Sequence, residues 1–478
     1  MHSNNRWPTV SAMVATLQVW RMGTKRGQHR NACTRNQRMA RTRVCRAGER
    51  MTERTFRITQ KQLENLGSLM AAKASGNVIL ASCGGGRTVF PNGTERRSWS
   101  YKAVEKEVAG SAVNSILADS ADSICVICLP EELQEVAFDL PNCLWITWAR
   151  EQISAYYWDS ALMPVDICEV VGHSIVINPS KVGIDLSNDF HIRTKQAFGK
   201  GTTEIFSSLT VGIAGVSGTG SIVAEQLFRL GVKRLVLVDD DSVEEVNLGR
   251  ILNAGKTDAI LHRNKAEMLK ERYEAMGLKS EIVAVPLTIA DRDSLRHLSQ
   301  CDVLFGCLDS ADGRMQLNRI GTFYTVPVID VGVKLVSNDG ELSEISTAVR
   351  YIMPGEASLH SLGVYSTEQL QSESLRRADP AAYQARLQEK YIIGARESAP
   401  AVISINMMAS SVAVQELINR IHNYRDTPNE DVEVVSCNLL EPCFRIDPPA
   451  NADTALAKYL GRGDCIPFLD MPFLGGES

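Results

Sequence analysis

The sequence of 478 residues contains no uninterrupted run of 18 or more apolar residues, so it offers nothing long enough for a transmembrane helix. Cysteine is sparse and irregularly spaced: twelve in the whole chain, too few to read as a disulfide scaffold, which points to a reducing, cytoplasmic compartment. Basic charge is scarce over most of the length. Residues 51–478 hold 40 Lys and Arg against 55 Asp and Glu, a net −15, which excludes a nucleic-acid surface spread over the body. No His-x-His with a downstream Asp occurs in residues 51–190, so the ligand set of a zinc isopeptidase is missing there. What remains is an ordinary globular composition, 22% charged and 44% hydrophobic, with room for two or three domains.

The first 50 residues differ from the rest. They carry 11 Lys and Arg against one Glu, are rich in Arg, Asn, Gln and Thr, and show no apolar period. Their Arg content suits a transit peptide, but no compact apolar segment follows as a secretory signal requires. The expectation is a disordered leader, or translated sequence upstream of the true start, with Met51 opening the ordered chain.

Residues 51–190 read as a smaller α/β unit. Strand-like apolar runs occur at 77–82, 123–129 and 144–148, with helical stretches expected near 103–117 and 131–138 and more strand at 165–177. Such alternation suggests a partly parallel sheet. Phe90-Pro91-Asn92 is faintly similar to the His-Pro-Asn of ubiquitin-conjugating enzymes, but Phe stands for His and no well-placed Cys follows. Cys125 and Cys128 form C-x-x-C within an apolar strand, where they point to opposite faces and read as core cysteines. This unit is expected to be a non-catalytic scaffold or binding domain.

The next segment carries the chemistry. Thr210–Ala214 reads as a short strand, followed by Gly215-Val-Ser-Gly218-Thr-Gly220, a helix to Leu230, a C-cap at Gly231, and a second strand ending at Asp239. This is the strand, glycine turn, helix, strand, acid order of a dinucleotide-type βαβ unit. The turn lets the backbone approach phosphate at a helix N-terminus, and the acid can accept hydrogen bonds from ribose hydroxyls. Four residues further on select among nucleotide chemistries. Asn247 and Arg250 follow in Asn-Leu-Gly-Arg, Lys265 opens a charged helix, and Asp309 follows a strand at 302–306. A hydride-transfer enzyme has no task for this set; an enzyme that handles the triphosphate of ATP does. Arg250 and Lys265 neutralise phosphate and stabilise a pentacoordinate transition state. Asp309 offers hard oxygen ligands to Mg²⁺, and Asn247 hydrogen-bonds phosphate without adding charge. Each has an ordinary reading too: a surface cation, a solvated helix residue, a helix N-cap. Their order and spacing together favour ATP.

With these residues the chain resembles the ThiF/MoeB family, the adenylating fold shared with ubiquitin-activating enzymes, over about residues 190–425. The resemblance implies that Gly215, Gly218 and Gly220 form the ATP turn and that Asp239 and Asp241 are the acids of a ribose-binding D-x-D. It further implies Asn247, Arg250 and Lys265 as triphosphate ligands and Asp309 as the Mg²⁺ residue. An Arg before the first strand reaches the partner subunit's ATP in this family; Arg193 is preferred here over Lys195. The chain is also similar to stand-alone bacterial activating enzymes found with ubiquitin-like, conjugating-enzyme-like and isopeptidase partners. The implied fold is a doubly wound, Rossmann-like α/β domain preceded by the smaller α/β domain. The expected boundaries are 1–50 for the leader, 51–190, 191–435 with a crossover segment at 355–398, and a C-terminal extension at 436–478.

The function that follows is ATP- and Mg²⁺-dependent adenylation of the C-terminal carboxylate of a ubiquitin-like β-grasp protein. A conjugating-enzyme-like protein is a further expected partner, and a homodimer is expected, with no membrane and no nucleic-acid partner. The alternatives are a small-molecule or tRNA-linked carboxylate as substrate, or a nucleotide-binding scaffold without turnover. Two departures from the family matter. Ser358 and Ser361 stand where many relatives carry the first zinc C-x-x-C, and Cys437 and Cys443 are too far apart to form the second pair, so no zinc is expected. No cysteine lies between Cys307 and Cys437, which leaves the crossover without the nucleophile of thioester-forming relatives. Cys307 reads as a packed residue.

Overall fold

The computed structural model describes residues 51–117, 124–140, 143–149, 152–180, 189–338, 341–388 and 401–475. The expectations for residues 1–50 and for the crossover beyond 388 lie outside them. Among the described residues no helix is long and apolar enough to cross a membrane.

Two large sheets organise the molecule. The first has nine strands: β1 (Thr52–Thr59), β2 (Asn77–Val89), β3 (Glu95–Ala109), β4 (Ile124–Cys128), β5 (Cys143–Ala149), β6 (Gln152–Trp158), β7 (Leu162–Pro164), β8 (Ile167–Val171) and β9 (Ile175–Pro179). Their spatial order is β7-β6-β5-β4-β2-β3-β1-β8-β9. Strand β1 lies parallel to both neighbours, β3 and β8, and β4 is parallel to β5, so the sheet is partly parallel as its alternating pattern suggested. Helix α1 (Gln60–Ala72) follows β1 at once. Thr59 caps it, accepting from the Gln62 amide while the Gln62 side chain returns to the Thr59 backbone. Cys125 and Cys128 are both fully buried, and they sit in different cores on opposite faces of β4.

The helix expected at 103–117 is a correction. Residues 95–109 form β3, and only Val113–Leu117 is helical. Residues 101–109 pair antiparallel with β2 while their charged side chains stay exposed. Lys and Glu three to four residues apart suit a solvated strand as well as a helix, and pairing with β2 decides between them.

The second sheet has the order β12-β11-β10-β13-β14-β15-β16-β17. Its members are β10 (Thr210–Ala214), β11 (Arg234–Val238), β12 (Glu281–Val285), β13 (Val303–Gly306), β14 (Val328–Asn338), β15 (Glu341–Ile352), β16 (Val434–Asn438) and β17 (Cys443–Asp447). Strands β12 to β14 run parallel, and β14 to β17 form an antiparallel extension. The principal helices of this half are α2 (Ile192–Phe206), α3 (Gly220–Leu230), α4 (Lys265–Ala275), α5 (Arg292–Ser299), α6 (Ala311–Tyr324), α7 (Thr367–Ala378), α8 (Pro380–Gln388) and α9 (Ile403–Ile421).

Because the central strands are covered on both faces, they read as continuous apolar runs. Val211, Ile213, Phe305 and Ile329 face α3 and α9, packing with Val223, Leu227, Ala409 and Leu417. Ala214, Leu304 and Val328 face α5 and α6, with Leu295, Leu298, Leu317 and Ile320. The chain leaves β10 for β11 on one side and β13 lies on the other, so the winding reverses between β10 and β13. A crevice opens at the carboxyl ends of the strands at such a point.

The two sheets share a buried ionic junction. Asp302, at the start of β13, accepts from the Thr210 backbone at 2.8 Å and from Arg57 at 3.2 Å, and pairs with Arg96. Arg57 also donates to Glu169 at 3.0 Å and to the Cys301 carbonyl at 2.8 Å. Glu53 of β1 holds Arg234 and Lys233 at 2.8 and 2.7 Å. The chain from Leu460 to Asp464 runs back between the halves. Gly461 accepts from the Gly84 amide and donates to the Thr322 carbonyl, and Asp464 donates to Gly85. A Cβ on Gly461 would stand 2.1 Å from the Tyr101 carbonyl oxygen, so this passage admits no side chain.

Removing one partner of such a junction strands buried charge. Asp302→Asn is expected to lose about 3–5 kcal/mol of stability in a denaturant titration. Burial pushes the Glu53 carboxyl up, but Arg234, Arg96 and Lys233 outweigh it and hold it well below the ordinary 4.5. A lowered carboxyl stabilises the fold above its unfolded value and loses that contribution as pH falls. Glu53→Gln is therefore expected to be destabilising at pH 7, with the gap to wild type closing as the titration is repeated below about pH 4.5; a gap independent of pH would contradict the assignment.

Candidate functional site

The turn after β10 is built by close contact. Gly215 has φ +81°, and a Cβ there would lie 2.6 Å from the Cys307 carbonyl oxygen. Gly220 opens α3, and a Cβ on it would lie 1.8 Å from the Gly215 oxygen, so the turn folds on itself only with glycine at that position. The α3 N-terminus thus faces the carboxyl ends of β10 and β13. Gly231 closes α3 in the left-handed conformation, as its position suggested.

Asp239, at the end of β11, is buried. Its carboxylate accepts from the Val216 amide at 2.8 Å and from the Asp241 amide at 3.0 Å, which ties the second strand to the glycine turn. Burial pushes this carboxyl up, while Lys265 and the two amides oppose the shift. Lys265 has a side chain only 5% exposed; its Nζ lies 2.7 Å from Asp241 Oδ2 and 3.8 Å from Asp239 Oδ1. Asp241 itself is 70% exposed at the side chain, so the pair presents its cation beside the turn while the acid faces water. Asp239, Asp240 and Asp241 are the one group of acids close enough to share an ion among the described residues, and Lys265 already neutralises part of it.

Asn247 is buried, and its Oδ1 accepts the Glu244 amide, so the side chain shapes its own loop. Arg250 is partly exposed and donates to the Val246 carbonyl at 3.2 Å. Its Cδ would lie 3.3 Å from a Cβ on Gly218, which brings Arg250 to the turn. Asp309 is exposed just beyond β13, two residues from Cys307. Its carboxylate makes no hydrogen bond or ion pair among the described residues. The N-cap reading of Asp309 is corrected: Ser310 caps α6, accepting from the Gly313 amide. Arg193 lies apart from this group. It is exposed in the first turn of α2, donates to Gln196 one turn along, and is separated from the rest of the helix by a break at Gly199.

Four further residues, without a role in the sequence pattern, contribute to the site. Asn264 caps α4 through two amides and donates to the carbonyls of Asp239 and Asp241 at 2.8 and 3.2 Å, so it sets the position of Lys265. Its place just before a helix start was a legible capping signal. On α9, Asn406 approaches Gly218 so closely that a Cβ there would meet its Nδ2 at 2.4 Å, and Ser410, one turn on, donates to the Thr219 carbonyl. Glu373 of α7 accepts from the Ala311 and Asp312 amides at 3.0 and 2.9 Å, hooking the crossover segment onto the N-terminus of α6 beside Asp309. The last three make long-range contacts with no local signature.

The remaining expectations meet the structure as follows. Helix α9 buries Ala409, Ala413, Val414, Leu417 and Ile418 in the chain's own core, while Met407 stays exposed. Ser358 donates to Asp453 at 2.7 Å and bonds with Ser361. Cys307 is partly exposed as a residue, and burial pushes its thiol up to about 12 against the opposing hydrogen bond with the Thr219 side chain.

A family model described as the ThiF family matches residues 191–453, more than half of the chain, and the chain belongs to that family. A tRNA threonylcarbamoyladenosine dehydratase of Bacillus subtilis (strain 168) is 35% identical over 95 residues, 20% of this chain and 37% of that protein. Ubiquitin-like modifier-activating enzyme 5 of Xenopus laevis is 27% identical over 164 residues, 32% of this chain and 40% of that protein. The chain therefore spans well under half the length of these curated relatives. The solved structure of E. coli MccB with ATP matches with a TM-score of 0.42 at 17% identity, over 58% of this chain and 75% of that one.

The thiol environments give a simple test. Iodoacetamide at pH 8 is expected to label exposed Cys443 in native protein and to spare Cys307 until the chain is unfolded. Labelling of both at equal rates, read by peptide mass spectrometry, would make Cys307 a reactive thiol.

Proposed function

We propose that this member of the ThiF family is an ATP-dependent adenylating enzyme that acts on the C-terminal carboxylate of a ubiquitin-like protein. The observation that carries the reading is the convergence of Arg250, Lys265 and Asp309 on one glycine turn. Arg250 lies against Gly218. Lys265 is linked to the turn through Asp239 and its bond from Val216. Asp309 follows Cys307, whose carbonyl meets Gly215.

In this reading Gly215, Gly218 and Gly220 let the backbone reach the phosphates, and the N-terminus of α3 supplies N–H groups and a favourable dipole. Asp239 and Asp241 face the ribose side. Lys265 and Arg250 carry the positive charge that the triphosphate needs, and Asn247 adds a neutral donor. The exposed carboxylate of Asp309 suits Mg²⁺, which would supply further neutralisation when bound. The substrate's carboxylate oxygen attacks the α-phosphorus, the bond to the β,γ-diphosphate breaks, and pyrophosphate leaves as the acyl adenylate forms. The attacking carboxylate is already an anion, so no side chain has to take a proton. The protein's work is positioning and charge compensation.

A homodimer in which Arg193 reaches the partner's nucleotide accords with the exposure of that residue and the break at Gly199. The likeness to a tRNA threonylcarbamoyladenosine dehydratase supports a second reading, a small-molecule or tRNA-linked carboxylate as substrate. ATP–pyrophosphate exchange separates the readings. A panel of ubiquitin-like proteins with free C-terminal glycines is expected to include one that drives exchange. Lys265→Ala and Asp309→Ala are each expected to lower the rate by roughly 10²–10³-fold. Exchange driven by a small carboxylate, and by none of the proteins, would favour the second reading. Tight ATP binding without exchange on any substrate would leave a nucleotide-binding scaffold.

A further inference from the structure

Apart from Asp309, which follows β13, the nucleotide residues lie on the β10–β11 side of the crevice. On the other side, level with the carboxyl end of β13 and early in β14, is an ion cluster for which the nucleotide has no use. Asp330 is fully buried, level with Gly306 in the β13–β14 register, and accepts from Arg314 Nε at 3.1 Å and Arg350 Nη1 at 2.9 Å. Arg314 belongs to the first turn of α6, and its Nη1 reaches the main-chain oxygen of Asp309 at 3.4 Å. Arg350 stands directly opposite Asp330 across the β14–β15 pair. It runs over Gly332, where a Cβ would lie 3.0 Å from its Nη1.

Charge and exposure give the cluster a direction. Two guanidiniums share one carboxylate, and neither pairs with another acid among the described residues. The Arg314 and Arg350 side chains stay 14% and 20% exposed, while Asp330 is sealed. Two positive charges therefore share one direct ionic partner, and both side chains stay partly open to solvent near Asp309. Arginine forks bind carboxylates with two parallel N–H···O bonds. A carboxylate approaching the α-phosphate of ATP meets charge of its own sign, and fixed positive charge on its path offsets that repulsion.

We propose that Arg350 is the docking group for the carboxylate of the acyl substrate, with Asp330 as the positioning residue that holds Arg350 and Arg314 side by side. The proposal rests on the adenylation reading for its substrate, and its test keeps the two apart. The probes are glycylglycine, with a free carboxylate, and glycylglycinamide, without one. They are titrated into the full-length protein, and into Arg350→Gln, Arg350→Lys and Asp330→Asn, while the arginine ¹⁵Nε–H NMR signals are followed. Thermal melts check that each variant is folded.

The acid is expected to move the Arg350 signal and the amide to leave it in place. Arg350→Gln is expected to weaken binding of the acid by roughly 10–100-fold, Arg350→Lys to restore part of it, and ATP affinity to stay within about twofold in both. Asp330→Asn is expected to weaken the acid and shift the Arg314 and Arg350 signals together. Equal binding of acid and amide, or undiminished binding to Arg350→Gln, would overturn the proposal. If Arg350 selects the acid but wild type exchanges pyrophosphate with no carboxylate, the dock stands and the adenylation reading fails. If wild type exchanges and Arg350→Gln exchanges with an unchanged KM, the dock fails and the reading stands.

Discussion

The carboxylate of Asp302 accepts from both halves of the molecule, from Arg57 and Arg96 of the first sheet and from the Thr210 amide of the second. A buried charge of this kind is tolerable only when every partner is present, because the loss of hydration is large and each missing contact leaves it uncompensated. The junction thus fixes how the sheets meet more than it adds to net stability. It also anchors the amino ends of β10 and β13, the two strands between which the winding reverses. The crevice opens at the opposite ends of those same strands, so the first sheet serves as the fixed foot of the candidate site.

Local chemistry was legible wherever it was repeated locally. The unit β10–α3–β11 followed from its apolar strands, its glycines and its terminal acid, because buried parallel strands and a tight turn leave little choice of residue. The start of α4 at Lys265 and the C-cap at Gly231 were legible for the same reason. Residues 103–109 were not, since charged spacing is shared by solvated helices and solvated strands and only the register with β2 decides. The arginine pair around Asp330 was hidden as well. Residues 314, 330 and 350 are distant in sequence, and it is the β14–β15 register and the start of α6 that bring them together. Asn406 and Glu373 likewise acquire meaning only through long-range packing.

Electrostatically, the crevice carries two cations, each held by its own carboxylate. Lys265 is held by Asp241 and aligned by the cap at Asn264; Arg350 is held by Asp330. In each case a carboxylate spends one charge to fix the geometry of a longer, more flexible cation. This is the kind of preorganisation that allows a charged transition state to be stabilised without rearrangement during the reaction. Glu373 adds a mechanical link, since a displacement of α7 would release the two amides at the head of α6, the helix that carries Arg314.

The passage of Leu460–Asp464 between the sheets has a consequence for biosynthesis. Strand β2 is made well before its partner, since Gly84 and Gly85 find their hydrogen-bond partners in a segment almost four hundred residues later. Until that segment is made, the glycine stretch of the first sheet is unsealed, and the two halves can meet but not lock. Closure waits for Leu460–Asp464 to thread a gap too narrow for any side chain at Gly461. A nascent chain arrested before that point would hold both sheets and the whole glycine turn while still lacking the clasp between them.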